Sequence, residues 1–428
     1  MRNGFVNARA GAAAGVALAL AIAGPAAGAA KRIVDPNASS VVRGDAAALG
    51  FDPAKLEAAR AGLAADVAAG KIAGAYLMFG RHGKVAFQEG FGLQGPGQAT
   101  APNEETIWRI FSMTKPLVTV VAMTLVEDGK LDVDAPVSKY LPEYKDLKVW
   151  QADGTTVAAA QPMLVRHLMS HTSGLIYGFV TPGAPIAKAW AAGGENRSDL
   201  TNREYAKVIA ALPLKNEPGA AWNYSRSTDV LGAVVEVAGG KTLDVLVREK
   251  VTGPLGMTDT AFFQPASKKA RFAEAKAAGG PAALGNIYYD YTKPTPMLSA
   301  GGGLSSTAED YLRFVLMLAG EGTYKGVRIL KPETLARMRQ DETTPEIRRA
   351  GMFFPGQGMG FGLGFSLVTD DKVQRPGNGT FSWWGIAGTE FWVDPKNETF
   401  VIFMIQAREL AMEYQRKNRT WVYDALVK

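Results

Sequence analysis

Glu390-Phe391-Trp392-Val393-Asp394-Pro395-Lys396-Asn397-Glu398-Thr399-Phe400-Val401-Ile402-Phe403-Met404-Ile405 holds two runs rich in aromatic and β-branched residues, joined through Asp394-Pro395-Lys396-Asn397. Two such runs closed by turn-forming residues read as an antiparallel hairpin. A matching pair stands near the other end of the chain, where Ala75-Tyr76-Leu77-Met78-Phe79 and Lys84-Val85-Ala86-Phe87-Gln88 flank Arg81-His82-Gly83. Before that pair, from Phe51 to Lys71, apolar residues recur at helical spacing (Leu56, Ala59, Leu63, Val67) behind Asp52-Pro53, a cap followed by a proline at the first helical position. Glu409 to Val427 reads as a terminal helix. Hairpins at both ends of a long helix- and loop-rich middle put the termini in one sheet, with the middle as a large insertion. The glycine-rich stretch Gly351 to Gly364 is loop-like, and a surface loop and a site-lining one are equally good readings.

A chain of 428 residues allows several small domains or one large composite fold with a sizeable core. With 47% apolar and 21% charged residues it has an ordinary globular composition, which excludes disordered and collagen-like classes. It has no cysteine, so disulfides, thiolate metal sites, iron–sulfur clusters and a cysteine nucleophile are excluded together. The net charge is +6, yet Lys268-Lys269 and Arg348-Arg349 are isolated pairs. Phosphate affinity needs a clustered basic footprint, so a nucleic-acid partner is not expected.

At the start, Arg2 and Arg9 precede an acid-free apolar run from Ala10 to Ile22, and Ala27-Gly28-Ala29 follows. This is the pattern of a secretory signal over residues 1–29, and it predicts an exported protein, periplasmic or secreted. The run is bounded by Gly24-Pro25 and is short of the ~20 apolar residues that span a bilayer, so no stable membrane anchor is expected after signal removal. The alternative is retention of the segment as an anchor.

Several motifs are excluded by single residues. The chain has no Gly-x-Ser-x-Gly, so a nucleophile elbow is unsupported. Gly239-Gly240-Lys241-Thr242 resembles the end of a phosphate loop, but Val235 stands where the upstream glycine belongs. His167 and His171 share a helical face, yet Leu168 replaces the glutamate of the zinc-protease pattern and no third ligand is evident. No metal site and no cofactor are expected, and the two histidines read as structural. His82 falls in the hairpin turn.

What remains is Ser112-Met113-Thr114-Lys115, the only Ser-x-x-Lys in the sequence. Leu117, Val120, Val121, Thr124 and Leu125 follow at helical spacing and Gly129 supplies a stop, which puts Ser112 in the first turn of a buried helix. Residues at i and i+3 project from one face about 5–6 Å apart, so Lys115 can reach the Ser112 hydroxyl. Burial disfavours an ammonium, and a neutral amine can take the serine proton. Tyr224, before the run Asp229 to Glu236, is a second candidate: a phenol beside a cationic lysine leans toward phenolate and can relay a proton. Ser382-Trp383-Trp384-Gly385-Ile386-Ala387-Gly388-Thr389 leads into a strand whose edge can offer an N–H to a substrate carbonyl, with Trp383 and Trp384 as an apolar wall.

In order and separation these segments resemble the serine β-lactamase and penicillin-binding superfamily, specifically the class C β-lactamase-like group with the family VIII carboxylesterases. The resemblance extends through Gly129-Lys130-Leu131-Asp132, His167-Leu168-Met169-Ser170-His171-Thr172-Ser173-Gly174-Leu175 and Gly301-Gly302-Gly303-Leu304-Ser305-Ser306-Thr307, and covers roughly residues 50 to 408. It implies a β-lactamase/transpeptidase-like α/β (α+β) fold, an antiparallel sheet flanked by helices plus a mostly helical region. The domain spans 45–408, with the sheet drawn from 51–111 and 361–408, the helical region from about 140 to 350, and 409–428 as a C-terminal helix. It implies Ser112 as acyl-accepting nucleophile, Lys115 and Tyr224 as the proton-transfer pair, and the main-chain N–H groups of Ser112 and Ile386 as oxyanion hole. Two positions depart from the family pattern: Arg226 replaces the asparagine after the tyrosine, and Trp383-Trp384-Gly385 replaces Lys-Thr-Gly. The lost lysine removes a cation that would hold a β-lactam or peptide carboxylate, which favours small neutral esters at a site bounded by Trp383, Trp384 and Gly385. Arg226 is the one residue expected to restore part of that charge. The alternatives are a β-lactamase or D-alanyl-D-alanine carboxypeptidase acting on an amide and, from another class, a non-catalytic penicillin-binding or sensor module.

Overall fold

The structure, a computed structural model, describes Met1 and residues 42–95, 97–180, 182–275 and 290–427, so apart from Met1 the expected signal segment lies outside the described residues. The chain divides into two compact units, Met1–Lys31 and Arg32–Lys428, and all that follows concerns the second.

Eight strands form one sheet: β1 (Val42–Arg43), β2 (Gly74–Arg81), β3 (Lys84–Gly92), β4 (Met359–Phe361), β5 (Ser366–Val368), β6 (Phe381–Trp384), β7 (Glu390–Asp394) and β8 (Thr399–Ile405). Their spatial order is β1-β3-β2-β8-β7-β6-β5-β4. The two hairpins therefore meet at the centre, where β2 and β8 pair antiparallel from Ala75↔Ile405 to Arg81↔Thr399. The sheet is mixed rather than wholly antiparallel. Val42 and Arg43, just ahead of the expected boundary at 45, pair parallel with Lys84 and Val85 and cover an otherwise open edge.

Both faces of the central strands are buried, which is why they read as continuous apolar runs. On β8, Phe400, Ile402 and Met404 face the core shared with the helical region. Val401, Phe403 and Ile405 face the opposite core. That second core is closed by α1 (Pro53–Ala68), through Leu56, Ala59 and Leu63, and by the last helix, Ala411–Ala425, through Tyr414 and Val422. Asp52 caps α1, its side chain accepting from the Ala54 N–H at 2.9 Å.

The segment between Arg109 and Met359 carries the helical region. Its central element is α2 (Thr114–Glu127), in which every residue from Thr114 to Leu125 is buried. The one-sided pattern read from Leu117, Val120 and Leu125 understates this, because Val118, Ala122 and Met123 are packed as well. α2 ends where Gly129 takes φ 70°.

Candidate active site

Ser112 sits not in an α-helical turn but in a single 3₁₀ turn, Phe111–Met113, that feeds α2. Phe111 takes φ 44°, a left-handed conformation that costs an ordinary residue of order 1–3 kcal/mol. Contacts from several segments hold it there. The Ile110 N–H donates to the Leu304 carbonyl at 3.2 Å, and the Leu304 N–H to Thr114 Oγ1 at 3.1 Å. Tyr311 Oη donates to the Met113 carbonyl at 2.9 Å, and Thr389 Oγ1 to the Ile110 carbonyl at 3.2 Å. The turn leaves Ser112 half-buried.

Two of the sequence candidates, Lys115 and Tyr224, converge on this hydroxyl. Lys115 Nζ lies 3.1 Å from Ser112 Oγ, and Tyr224 Oη donates to the same oxygen at 2.5 Å. Lys115 is fully enclosed, 2.6 Å from the Gly301 carbonyl and 3.3 Å from Tyr177 Oη, and its amine stands 4.6 Å from the Tyr224 ring centroid. A neutral amine has two hydrogens and one lone pair. With hydrogens directed to Gly301 O and Tyr177 Oη, the lone pair is left for the Ser112 proton.

Electrostatics separates the roles of the pair. Burial pushes Lys115 down to about 7, with Asp229 opposing and Arg226 adding to the fall. Burial also raises Tyr224, more than its hydrogen bond to Ser112 lowers it. The expectation of a phenolate-leaning Tyr224 is therefore overturned, because burial weakens the charge of its lysine neighbour and a buried phenol itself resists ionisation. On these shifts Lys115 is suited to accept a proton near neutral pH and Tyr224 to donate one. Accordingly, kcat/KM should rise as pH passes through about 7, where Lys115 loses its proton, and fall below it. A pH–rate profile whose acid limb lies near 10, the value of an ordinary lysine, would reject Lys115 as the base.

Tyr224 is held by the segment that carries the two histidines. The Asn223 N–H donates to the His171 carbonyl at 2.9 Å, and the Arg226 N–H to the Ile176 carbonyl at 3.2 Å. Hydroxyls link the same segments: Ser173 and Ser227 at 2.7 Å, Ser225 and Ser227 at 2.7 Å, and His171 Nδ1 with Ser225 Oγ at 3.2 Å. His171 packs 4.8 Å from the Tyr224 ring, and burial holds it well below the ordinary histidine range. His167 Nδ1 accepts from the Leu164 N–H at 3.2 Å, and burial pushes it down to about 4. His82 Nδ1 pairs with Glu398 at 2.7 Å in the hairpin turn.

Gly385, just past the end of β6, explains how this segment approaches the Ser112 turn. A Cβ there would stand 2.6 Å from the Ile110 carbonyl oxygen and 2.3 Å from Thr389 Oγ1. Only glycine allows that approach, and it packs Ile386 against Phe111, next to Ser112.

The sequence and fold that build this arrangement are similar to those of known proteins. The family model described as Beta-lactamase covers residues 59–424. The chain belongs to the β-lactamase family. Protein Rv1367c of Mycobacterium tuberculosis is 36% identical over 353 residues, 79% of this chain and 86% of that protein. Esterase EstB of Burkholderia gladioli is 32% identical over 349 residues, 76% of this chain and 83% of its own length. Among solved structures, EstCE1, a hydrolase with promiscuous acyltransferase activity, superposes with a TM-score of 0.71 at 27% identity, covering 86% of this chain and 98% of that one. The protein is a serine hydrolase of β-lactamase/transpeptidase-like fold.

Within this β-lactamase-family site the expected apolar wall is larger than two residues. Trp383 is buried and Trp384 half-buried, with ring centroids 4.4 Å apart. The Trp383 ring lies 5.5 Å from Tyr224, and Phe354 lies 5.1 Å from Tyr224 and 5.7 Å from Trp384. Phe354 belongs to the glycine-rich stretch, whose placement is thereby site-lining. That segment is pinned by the bridge Asn223↔Met352, and the Trp222 N–H donates to the Ile347 carbonyl just ahead of it at 3.1 Å.

Arg226 is not brought to the wall. Its guanidinium stands 3.4 Å from Glu195, 3.6 Å from Asp229 and 4.8 Å from the Tyr177 ring, a buried network that satisfies its charge. Three groups at the site were not singled out in the sequence: Tyr177, Asp229 and the Gly301 carbonyl. Tyr177 follows the quoted Leu175 by two residues, and Asp229 is the lone acid opening an otherwise apolar helical run. A buried charge at that position was the available signal.

Proposed function

We propose that the protein is an exported carboxylesterase for small neutral esters, acting through an acyl-enzyme on Ser112. Lys115 takes the Ser112 proton as Oγ attacks the ester carbonyl. The N–H groups of Ser112 and Ile386 receive the developing oxyanion. Tyr224 donates a proton to the departing alkoxide, and Lys115 restores it. Water then repeats the cycle on the acyl-enzyme with the same groups.

The observation that carries the substrate class is the place of Trp383. Where the family pattern has a lysine, this chain has a buried indole packed against Trp384 and Phe354, and Arg226 is tied to Glu195 and Asp229. An anionic substrate would lose the hydration of its carboxylate at that wall without gaining a partner. The esterase name of the Burkholderia gladioli relative agrees with this reading. Export rests on the pattern of Arg2, Arg9, the run Ala10 to Ile22 and Ala27-Gly28-Ala29. N-terminal sequencing of protein recovered outside the cytoplasm should begin at Ala30, and an uncleaved start would reject signal removal.

One observation favours a second reading, a β-lactamase or D-alanyl-D-alanine carboxypeptidase. A narrow cleft beside Tyr224, lined by Ile176, Val180 and Met352, also holds Lys215, whose Nζ lies 3.1 Å from Asn223 Oδ1. A panel of p-nitrophenyl esters beside a chromogenic cephalosporin separates the two. The expected result is kcat/KM for short-chain esters at least about 10²-fold above that for the cephalosporin, as for a substrate that leaves a buried charge unpaired. Comparable values would transfer the assignment to the second reading.

A further inference from the structure

Behind Lys115 lies a second layer of charge that the acylation scheme does not use. Asp229 is buried on the helix Ser227–Gly239. Its Oδ1 accepts from the Gly301 N–H at 2.9 Å and from Ser299 Oγ at 2.7 Å. The same glycine turns its carbonyl toward Lys115 Nζ at 2.6 Å. Asp229 Oδ2 has no hydrogen-bond partner among the described residues and lies 3.6 Å from Arg226 Nη1. A Cβ on Gly301 would stand 2.9 Å from both Asp229 Oδ2 and Tyr177 Oη, so glycine is what lets the carboxylate close on this loop.

We propose that Asp229 is a positioning residue for the base: the Gly301 loop, which also presents its carbonyl to Lys115, holds the Asp229 carboxylate behind the amine, where its charge and the opposing charge of Arg226 together set when the amine is free to accept a proton. The inference rests on the reading of Ser112 as nucleophile and Lys115 as base. A carboxylate on Oδ1 orients the Gly301 loop, and with the carbonyl and Tyr177 Oη holding two amine hydrogens the lone pair is aimed at Ser112.

The charges also have opposite effects on when the base is available. A buried anion favours the ammonium, and a buried cation the neutral amine. Burial is the largest influence on Lys115, Asp229 opposes it and Arg226 reinforces it. The other groups around the amine are Ser112 and the Tyr177 and Tyr224 phenols, both raised by burial, and His171, lowered by burial and by Lys115 itself. Glu195 stands on Arg226, with the Gly178 N–H donating to its carboxylate oxygens at 2.9 and 3.1 Å.

The test is the pH dependence of kcat/KM for p-nitrophenyl acetate in Asp229→Asn and Arg226→Gln, with Ser112 labelling by a fluorophosphonate measured over the same range. Asparagine keeps an Oδ1 acceptor for Gly301 and Ser299 and removes only the charge. Its acid limb should move to lower pH by roughly one unit. Arg226→Gln should move the limb upward by a similar amount, and the labelling rates should follow both shifts. A merely structural role would lower the plateau in each variant and leave both limbs in place. Unmoved limbs, or limbs that move the same way, overturn the proposal. Each variant has its own expected sign, so either one decides if the other does not fold. Turnover by Ser112→Ala, or a wild-type limb far from neutrality, would instead reject the reading beneath it. A normal wild type with unshifted variants rejects Asp229 alone.

Discussion

Ser112→Ala is expected to lower kcat/KM for every ester by on the order of 10⁴-fold or more, because in the proposed cycle it removes the atom that forms the acyl bond. Fluorophosphonate labelling should disappear with it, whereas wild-type protein should carry one adduct on the tryptic peptide containing Ser112. The fold should survive. Lys115 keeps its contacts to Gly301 and Tyr177, and the strained Phe111 keeps the backbone contacts that hold it. One partly exposed hydroxyl contributes about 1 kcal/mol, which shifts a thermal midpoint by no more than about 2–4 °C. A folded Ser112→Ala protein that retains a tenth of the wild-type rate would refute nucleophilic catalysis at this position.

The parts of the molecule set by local pattern were open to reading in the sequence. The Asp52-Pro53 helix start, both hairpins and the Gly129 stop depend on residues close in the chain, and their signals are capping, turn chemistry and apolar alternation. The meeting of β2 with β8 was also accessible, since hairpins at the two ends had few other partners. The convergence of Ser112, Lys115 and Tyr224 was legible because Ser-x-x-Lys places two groups on one side of a turn and the later motif follows in a set order. What lay beyond reach depended on long-range packing. Whether Tyr224 is a phenol or a phenolate is decided by how completely rings such as Phe354 and Trp383 bury it, and those residues lie 130 and 159 positions later in the sequence. Arg226 looked free for the cleft because Glu195, which holds it, is thirty-one positions earlier. The left-handed Phe111 carries no sequence mark, since glycine, asparagine or aspartate would be the usual occupants of that conformation.

Lys115→Met and Tyr224→Phe should each reduce kcat/KM by about 10²–10⁴-fold, the usual contribution of a positioned proton-transfer group. Methionine keeps most of the buried stem volume, so the loss reports the amine rather than a cavity. The two losses should not multiply. In the proposed cycle both residues serve one proton, taken from Ser112 and delivered to the leaving group, so the double variant should be within several-fold of the worse single one. The leaving group then distinguishes the two roles. Removal of the base slows attack on any ester, and Lys115→Met should depress p-nitrophenyl and alkyl esters alike. Loss of the phenol removes only the donor to the departing oxygen. A p-nitrophenolate leaves without a proton, whereas an alkoxide needs one, so Tyr224→Phe should depress alkyl esters at least about 10-fold more than p-nitrophenyl esters, within the range of a single general-acid contribution. If instead Tyr224→Phe acts equally on both and Lys115→Met carries the leaving-group dependence, the phenol is the base and the lysine the acid. That outcome would also require Tyr224 to ionise in spite of the burial that raises it, and Lys115 to stay charged in spite of the burial that lowers it.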